Sequence, residues 1–169
     1  MNKQLFYILI LLLFSVVSTA QNKYYTKSGS IDFEASVPSF EEVIANNSTV
    51  TSILNIETGE IASLALIKGF RFKVALMEEH FNENYAESDK FPKATFTGKI
   101  SDFSYENLTT VPQKFDLTGT LTFHGKSVEI NPKISISRKE NSVNISSVFI
   151  LKPEEFDIKI PRLIRKKVA

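Results

Sequence analysis

Residues 114–124, KFDLTGTLTFH, show the most regular pattern in this sequence. From Phe115 to Phe123 every second residue is apolar or glycine, and the residues between them are aspartate and threonine. Successive side chains of a β-strand point to opposite faces, so this period of two indicates a strand with one buried and one solvated face. The segment therefore predicts a sheet whose apolar face is covered by other parts of the chain.

Six further segments on either side of it alternate in the same way or are rich in β-branched residues. Gly125 and residues 140–142 separate the last of these segments as hairpin turns. Most connections are short enough for antiparallel neighbours. The six predicted strands are residues 29–37, 50–56, 60–76, 93–103, 126–137 and 143–151.

Two segments break the alternation, and both predict short helices. In residues 38–47 and 77–89 the apolar residues recur at a spacing of three to four. Long strands without covering helices must bury their apolar faces against one another, which a closed or nearly closed barrel achieves. The predicted fold is all-β, an extended antiparallel β-barrel of about seven or eight strands with one or two short helices.

Length and composition limit the classes of function. The chain has 169 residues, no Cys, two His, 20 Lys and Arg and 19 Asp and Glu. This length predicts one domain with a single sizeable core. Without Cys there is no disulfide scaffold, thiolate metal site or Cys nucleophile. Because the charge is nearly balanced, nothing in the electrostatics points to nucleic acid as a partner.

The first twenty residues, MNKQLFYILILLLFSVVSTA, have the pattern of a signal peptide. Lys3 precedes a short apolar run, and small residues ending at Ala20 follow it, as at an A-x-A-like cleavage site. The run is shorter than the roughly 20 residues of a membrane-spanning helix. We therefore expect cleavage after Ala20, a mature domain of residues 21–169, export to the periplasm or the cell exterior, and no membrane-spanning segment.

Residues 80–100, HFNENYAESDKFPKATFTGKI, resemble the core signature of the YceI-like family of lipocalin-like, polyisoprenoid-binding proteins. The matching features are Asp89, the Phe91-Pro92 pair and the strand pattern A-x-F-x-G-x-I that begins at Ala94. A second stretch, residues 115–126, matches the pattern G-x-L-x-x-H-G before a hairpin. The resemblance covers residues 24–151.

The resemblance implies a bacterial, exported, lipocalin-like barrel with an internal apolar channel. It also implies non-covalent binding of a long apolar ligand, an isoprenoid or a fatty-acyl chain. Family members usually carry a further strand after the segment similar to residues 156–158, whereas residues 160–169 are short and basic. From this difference we expect that the barrel has an open seam.

Large apolar side chains on the predicted strand faces are the candidate lining of the channel. The same side chains could instead fill a barrel of about eight strands by themselves, because Phe is an efficient core residue. The residue pattern leaves both interpretations open. The candidate ligand-binding residues are Phe33, Phe70, Phe72, Leu76, Phe91, Phe96, Phe115, Leu117, Phe123 and Phe149.

The sequence contains no motif for catalysis, a cofactor or a metal. His80 lies among acidic residues but has no second His nearby, so a solvated acidic face is the simpler interpretation. His124 precedes Gly125 at a hairpin corner, where we expect a turn-stabilising role.

We therefore expect a non-catalytic protein that carries or sequesters an isoprenoid or other lipid-like molecule. The alternative is an exported structural protein with a filled barrel, whose open seam docks a partner. The sequence leaves open whether the protein is a monomer or a homodimer.

Overall fold

Antiparallel pairing joins all the strands into one curved sheet. The computed structural model describes residues 22–35 and 43–159, so the predicted signal peptide, residues 1–20, lies outside the described residues. The strands are β1 (Lys23–Ala35), β2 (Val43–Asn55), β3 (Glu60–Leu66), β4 (Arg71–Phe72), β5 (Lys93–Ile100), β6 (Gln113–Phe123), β7 (Lys126–Ile130), β8 (Lys133–Lys139) and β9 (Ser142–Ser147).

The order of strands across the sheet is β1-β2-β3-β5-β6-β8-β9, with β4 added to β2 and β7 added to β6. The sheet curls into a nearly closed barrel, which confirms the predicted all-β antiparallel fold. Within residues 22–35 and 43–159, the strands at the two ends of this order, β1 and β9, do not pair with each other. The seam of the barrel therefore lies between them.

Strand β6, with eleven residues, has neighbours along both edges. Its whole middle section pairs with β5, while its first residues pair with β8 and its last residues pair with β7. The sequence predicts one continuous strand over residues 126–137, and this prediction is wrong. Asn131 and Pro132 divide the segment into β7 and β8. Proline has no backbone N–H to donate, and instead its carbonyl accepts a hydrogen bond of 3.1 Å from the N–H of Leu117.

The helix predicted over residues 38–47 is also wrong for the part that the structure describes. Residues from Val43 onward belong to β2, where Val43 pairs with Ala35 and Asn47 pairs with Ile31. Pairing with β1 overrides the local helical spacing, and the β-branched Val43 and Ile44 suit a strand. The register between β1 and β2 is irregular next to Asn47, but β2 keeps the same face toward the barrel interior on both sides of this point. The buried Asn47 stabilises the irregularity by accepting hydrogen bonds from the N–H and the hydroxyl of Thr49.

The long strand predicted over residues 60–76 ends at Leu66. A 3-10 turn (Ile67–Gly69) and the short β4 follow, and then helix α1 (Ala75–His80) continues as a π-helical turn (Phe81–Tyr85). Leu76 therefore lies on a helix and is 57% exposed. The helix predicted over residues 77–89 is confirmed through Tyr85. The helix begins at Ala75, whereas the alternation predicted a strand up to Leu76.

One end of the barrel is filled by aliphatic side chains, and we call this end the floor. The floor residues come from five strands and from Leu108 in the loop after β5. Tyr24 and Tyr105 share a hydroxyl–hydroxyl hydrogen bond beside them. That bond and burial raise the pKa of the Tyr105 phenol, which therefore stays neutral in ordinary conditions. The buried floor cluster consists of Leu54, Ile61, Ile100, Leu108, Leu117, Ile134 and Ile136.

At the opposite end, His124 ties three segments together. Its Nδ1–H donates to the carbonyl oxygen of Phe156, 2.9 Å away, in the last 3-10 turn (Pro153–Phe156). Its Nε2 lies 2.6 Å from Oε2 of Glu87, in the loop after the π-helical turn, and the ring packs edge-on against Phe91. Phe91 in turn lies so close to Gly125 that a Cβ at that position would be 2.6 Å from the ring. The expected turn-stabilising role of His124 therefore extends to two neighbouring segments.

We predict that His124→Phe lowers the free energy of unfolding by about 2–3 kcal/mol, because the ring contacts persist while both hydrogen bonds are lost. Urea unfolding followed by circular dichroism measures this change, since the chain has no Trp. His80→Phe is the matched control because His80 is exposed on α1. Equal stability of the two variants would contradict the role assigned to His124.

Candidate functional site

The side chains that point into the barrel alternate along each strand with side chains on its outer face. Leu54, Ile61, Ile100 and Leu117 form part of the buried floor, so residues two and four positions away on the same strands also point inward. Moving from the floor toward the end that holds His124, the inward positions change from large aliphatic residues to small ones. This change creates a distinct middle section of the interior.

Three directly opposed pairs of small residues line this middle section, which we call the small-residue belt. Ser52 pairs with Ser63 across β2 and β3, and Ala65 pairs with Ala94 across β3 and β5. Gly98 pairs with Gly119 across β5 and β6. These side chains are smaller than the aliphatic residues of the floor.

Phe96 is a large inward side chain beside the belt, directly opposite Leu121 of β6. A Cβ built on Gly98 would be 2.7 Å from Cζ of Phe96, and one built on Gly119 would be 2.5 Å from it. The ring therefore covers the two glycines. Ser52, Ser63 and Phe96 point inward and yet keep intermediate solvent exposure, in contrast to the buried floor residues. These three side chains are therefore less completely covered than the floor residues.

Above the belt, four phenylalanines form an aromatic cluster that we call the mouth. Phe81, in the π-helical turn, is the centre of this cluster. Its ring centroid lies 6.2 Å from that of Phe33 on β1, 5.7 Å from that of Phe70 and 5.1 Å from that of Phe72 on β4. The helical segment thus covers this end of the barrel with an apolar surface, and Phe33 remains 37% exposed there.

The polar groups of the belt are hydroxyls. Oγ of Ser52 and Oγ of Ser63 lie 2.7 Å apart and share a hydrogen bond. One of the two hydroxyl hydrogens is used in this bond, and the pair itself does not use the other. Such a pair can donate one hydrogen bond to a molecule in the barrel. The interior site therefore combines apolar walls with one weakly polar point.

The predicted lining residues fall into different parts of the structure. Phe33, Phe70 and Phe72 meet at the mouth, and Phe96 lies in the belt. Phe115 and Leu117 belong to the floor. Phe123 and Phe91 surround His124, whereas Leu76 and Phe149 are exposed at 57% and 46%. Their role in ligand binding stays a prediction.

The sequence analysis missed Phe81 and the small-residue belt. Phe81 had been recognised only as part of a helical spacing, and the contact with β1 and β4 arises from tertiary packing. Gly98 and Gly119, each inside an otherwise apolar strand, were the available signal, because glycine within a strand often marks a close approach of another group. The other small residues carry no comparable signature.

A groove of about 550 Å³ lies on the outer face of the sheet, lined among others by Ile53, Ala62, Thr97 and Lys99. These four residues alternate with the inward positions, and Ile61 and Gly98 also line the groove. Within residues 22–35 and 43–159, no group of three or more His, Asp or Glu side chains is arranged to hold a metal ion. In the same part of the chain no helix has the length and apolar character needed to cross a membrane.

Solved structures share this fold at low sequence identity. A polyisoprenoid-binding domain from Saccharophagus degradans aligns with a TM-score of 0.71 at 13% identity, covering 83% of each chain. BcnA of Burkholderia cenocepacia aligns with a TM-score of 0.63 at 13% identity, covering 82% of this chain and 85% of BcnA. The Campylobacter jejuni YceI protein aligns with a TM-score of 0.51 at 14% identity, covering 80% of this chain and 71% of its own.

The sequence comparisons assign the family. No protein with a curated description matches the sequence significantly. The profile of the YceI-like domain, in contrast, matches residues 14–169. This match includes both segments that carry the resemblance noted in the sequence, and the nearly closed antiparallel barrel agrees with it. The chain belongs to the YceI-like domain family.

Proposed function

We propose that this protein binds a long apolar molecule, an isoprenoid or a fatty-acyl chain, inside its barrel and carries or sequesters it without chemical change. The observation that carries the proposal is the small-residue belt between a packed floor and an aromatic mouth, in which the inward Ser52 and Ser63 are partly solvent-accessible. A neighbour with the same fold, from Saccharophagus degradans, is described as a polyisoprenoid-binding domain. These observations support a binding protein rather than an enzyme.

The physical driving force is the removal of apolar surface from water. Each buried CH₂ group contributes about 0.8 kcal/mol, so about ten buried groups contribute roughly 8 kcal/mol before ordering costs. The floor supplies a preformed end stop for such a chain. The mouth, with Phe33, Phe72 and Phe81 in contact, supplies aromatic surface along its path.

The hydroxyl pair in the belt favours a ligand that carries one polar oxygen. The second hydroxyl hydrogen of the Ser52–Ser63 pair can be donated to an alcohol, carbonyl or carboxylate oxygen of the ligand. A purely hydrocarbon ligand would leave that hydrogen without a partner inside the barrel. An isoprenoid alcohol or a fatty acid therefore matches the site better than a hydrocarbon.

We predict that Ser63→Leu weakens binding of geranylgeraniol and palmitate at least tenfold, because the larger side chain fills the belt and the hydroxyl pair is lost. Isothermal titration calorimetry with each probe, and extraction of the native protein followed by mass spectrometry, measure this. Ala62→Leu is the matched control because Ala62 is adjacent in β3 and faces outward.

The proposal fails if the wild-type protein binds neither probe, gains no thermal stability from them and yields no prenyl or acyl compound on extraction. If the wild type binds but Ser63→Leu binds equally well, the ligand occupies some part of the molecule other than the belt. Circular dichroism and the melting temperature of each variant separate loss of the site from loss of the fold.

We also propose that the protein is exported to the periplasm or the cell exterior. The support is the charged, apolar and small-residue pattern of residues 1–20. We predict that the protein recovered from the periplasmic or culture fraction begins at Gln21, as N-terminal mass spectrometry would show. Recovery of the chain in the cytosolic fraction with residues 1–20 intact would contradict export.

A further inference from the structure

His124 places both of its ring nitrogens against oxygen atoms. Nδ1 lies 2.9 Å from the carbonyl oxygen of Phe156, and Nε2 lies 2.6 Å from Oε2 of Glu87. A neutral imidazole has one N–H and one lone pair, whereas a carbonyl and an ionised carboxylate can only accept hydrogen bonds. We call these two hydrogen bonds the histidine tie. Both of them form only when the pair of His124 and Glu87 binds one proton more than a neutral imidazole and an ionised carboxylate.

This extra proton completes the tie in either of two positions. As an imidazolium, His124 donates one hydrogen bond from each ring nitrogen. If the Glu87 carboxyl is protonated instead, it donates to the lone pair of Nε2. The His124 side chain is only 11% exposed, so water has little access to replace a lost partner. The complete tie therefore requires the proton, whichever group carries it.

Other charged groups lie around the tie. Nζ of Lys90 lies 3.9 Å from Oε1 of Glu87, and Asp157 forms an ion pair of 2.7 Å with Lys126. The hydrogen bond and charge of Lys126 hold the pKa of the Asp157 carboxyl below its usual value, so Asp157 stays ionised near neutral pH. Histidine is the side chain that ordinarily changes charge between about pH 5 and 8. The joined segments carry the further charged residues Asp89, Lys90, Lys126, Glu154, Glu155 and Asp157.

The backbone is strained in each of the three segments that meet at the tie. Glu87 has a φ of 42°, His124 a φ of 49°, and Asp157, next to Phe156, a φ of 56°. These are three of the five non-glycine residues with positive φ in residues 22–35 and 43–159. Such conformations are uncommon and persist where the surrounding contacts hold them. The segments are therefore able to relax when the tie weakens.

We propose that the histidine tie is a pH-sensitive switch. At lower pH the extra proton is bound, and residues 86–92 and the last 3-10 turn are both fixed to the end of β6. As the pH rises, the pair releases this proton to solvent. The lone pair of Nε2 then faces the ionised carboxylate of Glu87, and the two repel each other. Because the tied state binds the proton and the released state does not, lowering the pH favours the tie and raising it favours release.

Release of Glu87 reaches the helical turn at the mouth. The N–H of Ala86 donates to the carbonyl oxygen of Phe81, and the N–H of Ser88 donates to that of Asn82, each over 2.8 Å. Residues 86–92 are thus hydrogen-bonded directly to the turn that places Phe81 over the barrel. The switch operates in the protein without a ligand, so this proposal and the proposed lipid binding can fail independently.

Glu87→Gln separates the hydrogen bond from the proton. The Gln carboxamide can donate to Nε2 of a neutral imidazole while the Nδ1–H still donates to Phe156, so this variant completes the tie without an extra proton. We measure amide hydrogen exchange by NMR, corrected for the intrinsic rate at each pH. In the wild type, protection of the Ser88 and Ile158 amides should fall about tenfold between about pH 5.5 and 8. In Glu87→Gln it should stay constant.

Glu83→Gln is the matched control, because it removes the same charge from an exposed position in the π-helical turn. It should keep the pH dependence of the wild type. The amide of Leu117 is the internal reference, since it donates to the carbonyl oxygen of Pro132 beside the floor, far from the tie. Wild-type protection that does not change with pH at Ser88 and Ile158 overturns the proposal. An equal pH dependence in Glu87→Gln also overturns it.

Nitrogen-15 NMR of the imidazole rings tests the proton directly. The chain has two histidines, and the exposed His80 is the reference for a ring in water. At about pH 5.5 we expect either two protonated ring nitrogens in His124 or a protonated Glu87 carboxyl, which carbon-13 NMR detects. A neutral His124 beside an ionised Glu87 at this pH would contradict the switch.

Discussion

The antiparallel pairing of β6 with β5 on one edge and with β7 and β8 on the other is the constraint on which this structure depends. Its eleven residues run the length of the barrel. Phe115 and Leu117 contribute to the floor, Gly119 to the belt, and Phe123 packs beside His124 at the far end. A shift of one residue in this register would turn the entire inward row toward solvent.

The three levels of the interior have different physical roles. The floor is a packed aliphatic core and supplies most of the hydrophobic stability, so the rest of the barrel can tolerate unfilled space. In the belt, the opposed Gly98 and Gly119 let Phe96 lie along the wall. The mouth depends on Phe81, which a helical turn places against strands β1 and β4. The closely packed aliphatic side chains and the small side chains thus lie in separate parts of one barrel.

The seam interrupts the continuous strand pairing of the barrel. Strands β1 and β9 do not pair with each other in the described part of the chain, and the uncharged residues 148–151 follow β9. Lipocalin-like barrels remove free edges by closure.

Alternation alone was enough to predict most of the strands, since a period of two is a local property of a half-buried sheet. Residues 114–124 thus became β6 almost without change, and the two family-like segments identified the fold. Local pattern failed at residues 43–47, where pairing with β1 makes a strand of a helical spacing, and at Leu76, where the chain turns into α1. The local sequence pattern could not predict the candidate functional site either. Which small residues face one another depends on the pairing of different strands, and that pairing exists only once the sheet has formed.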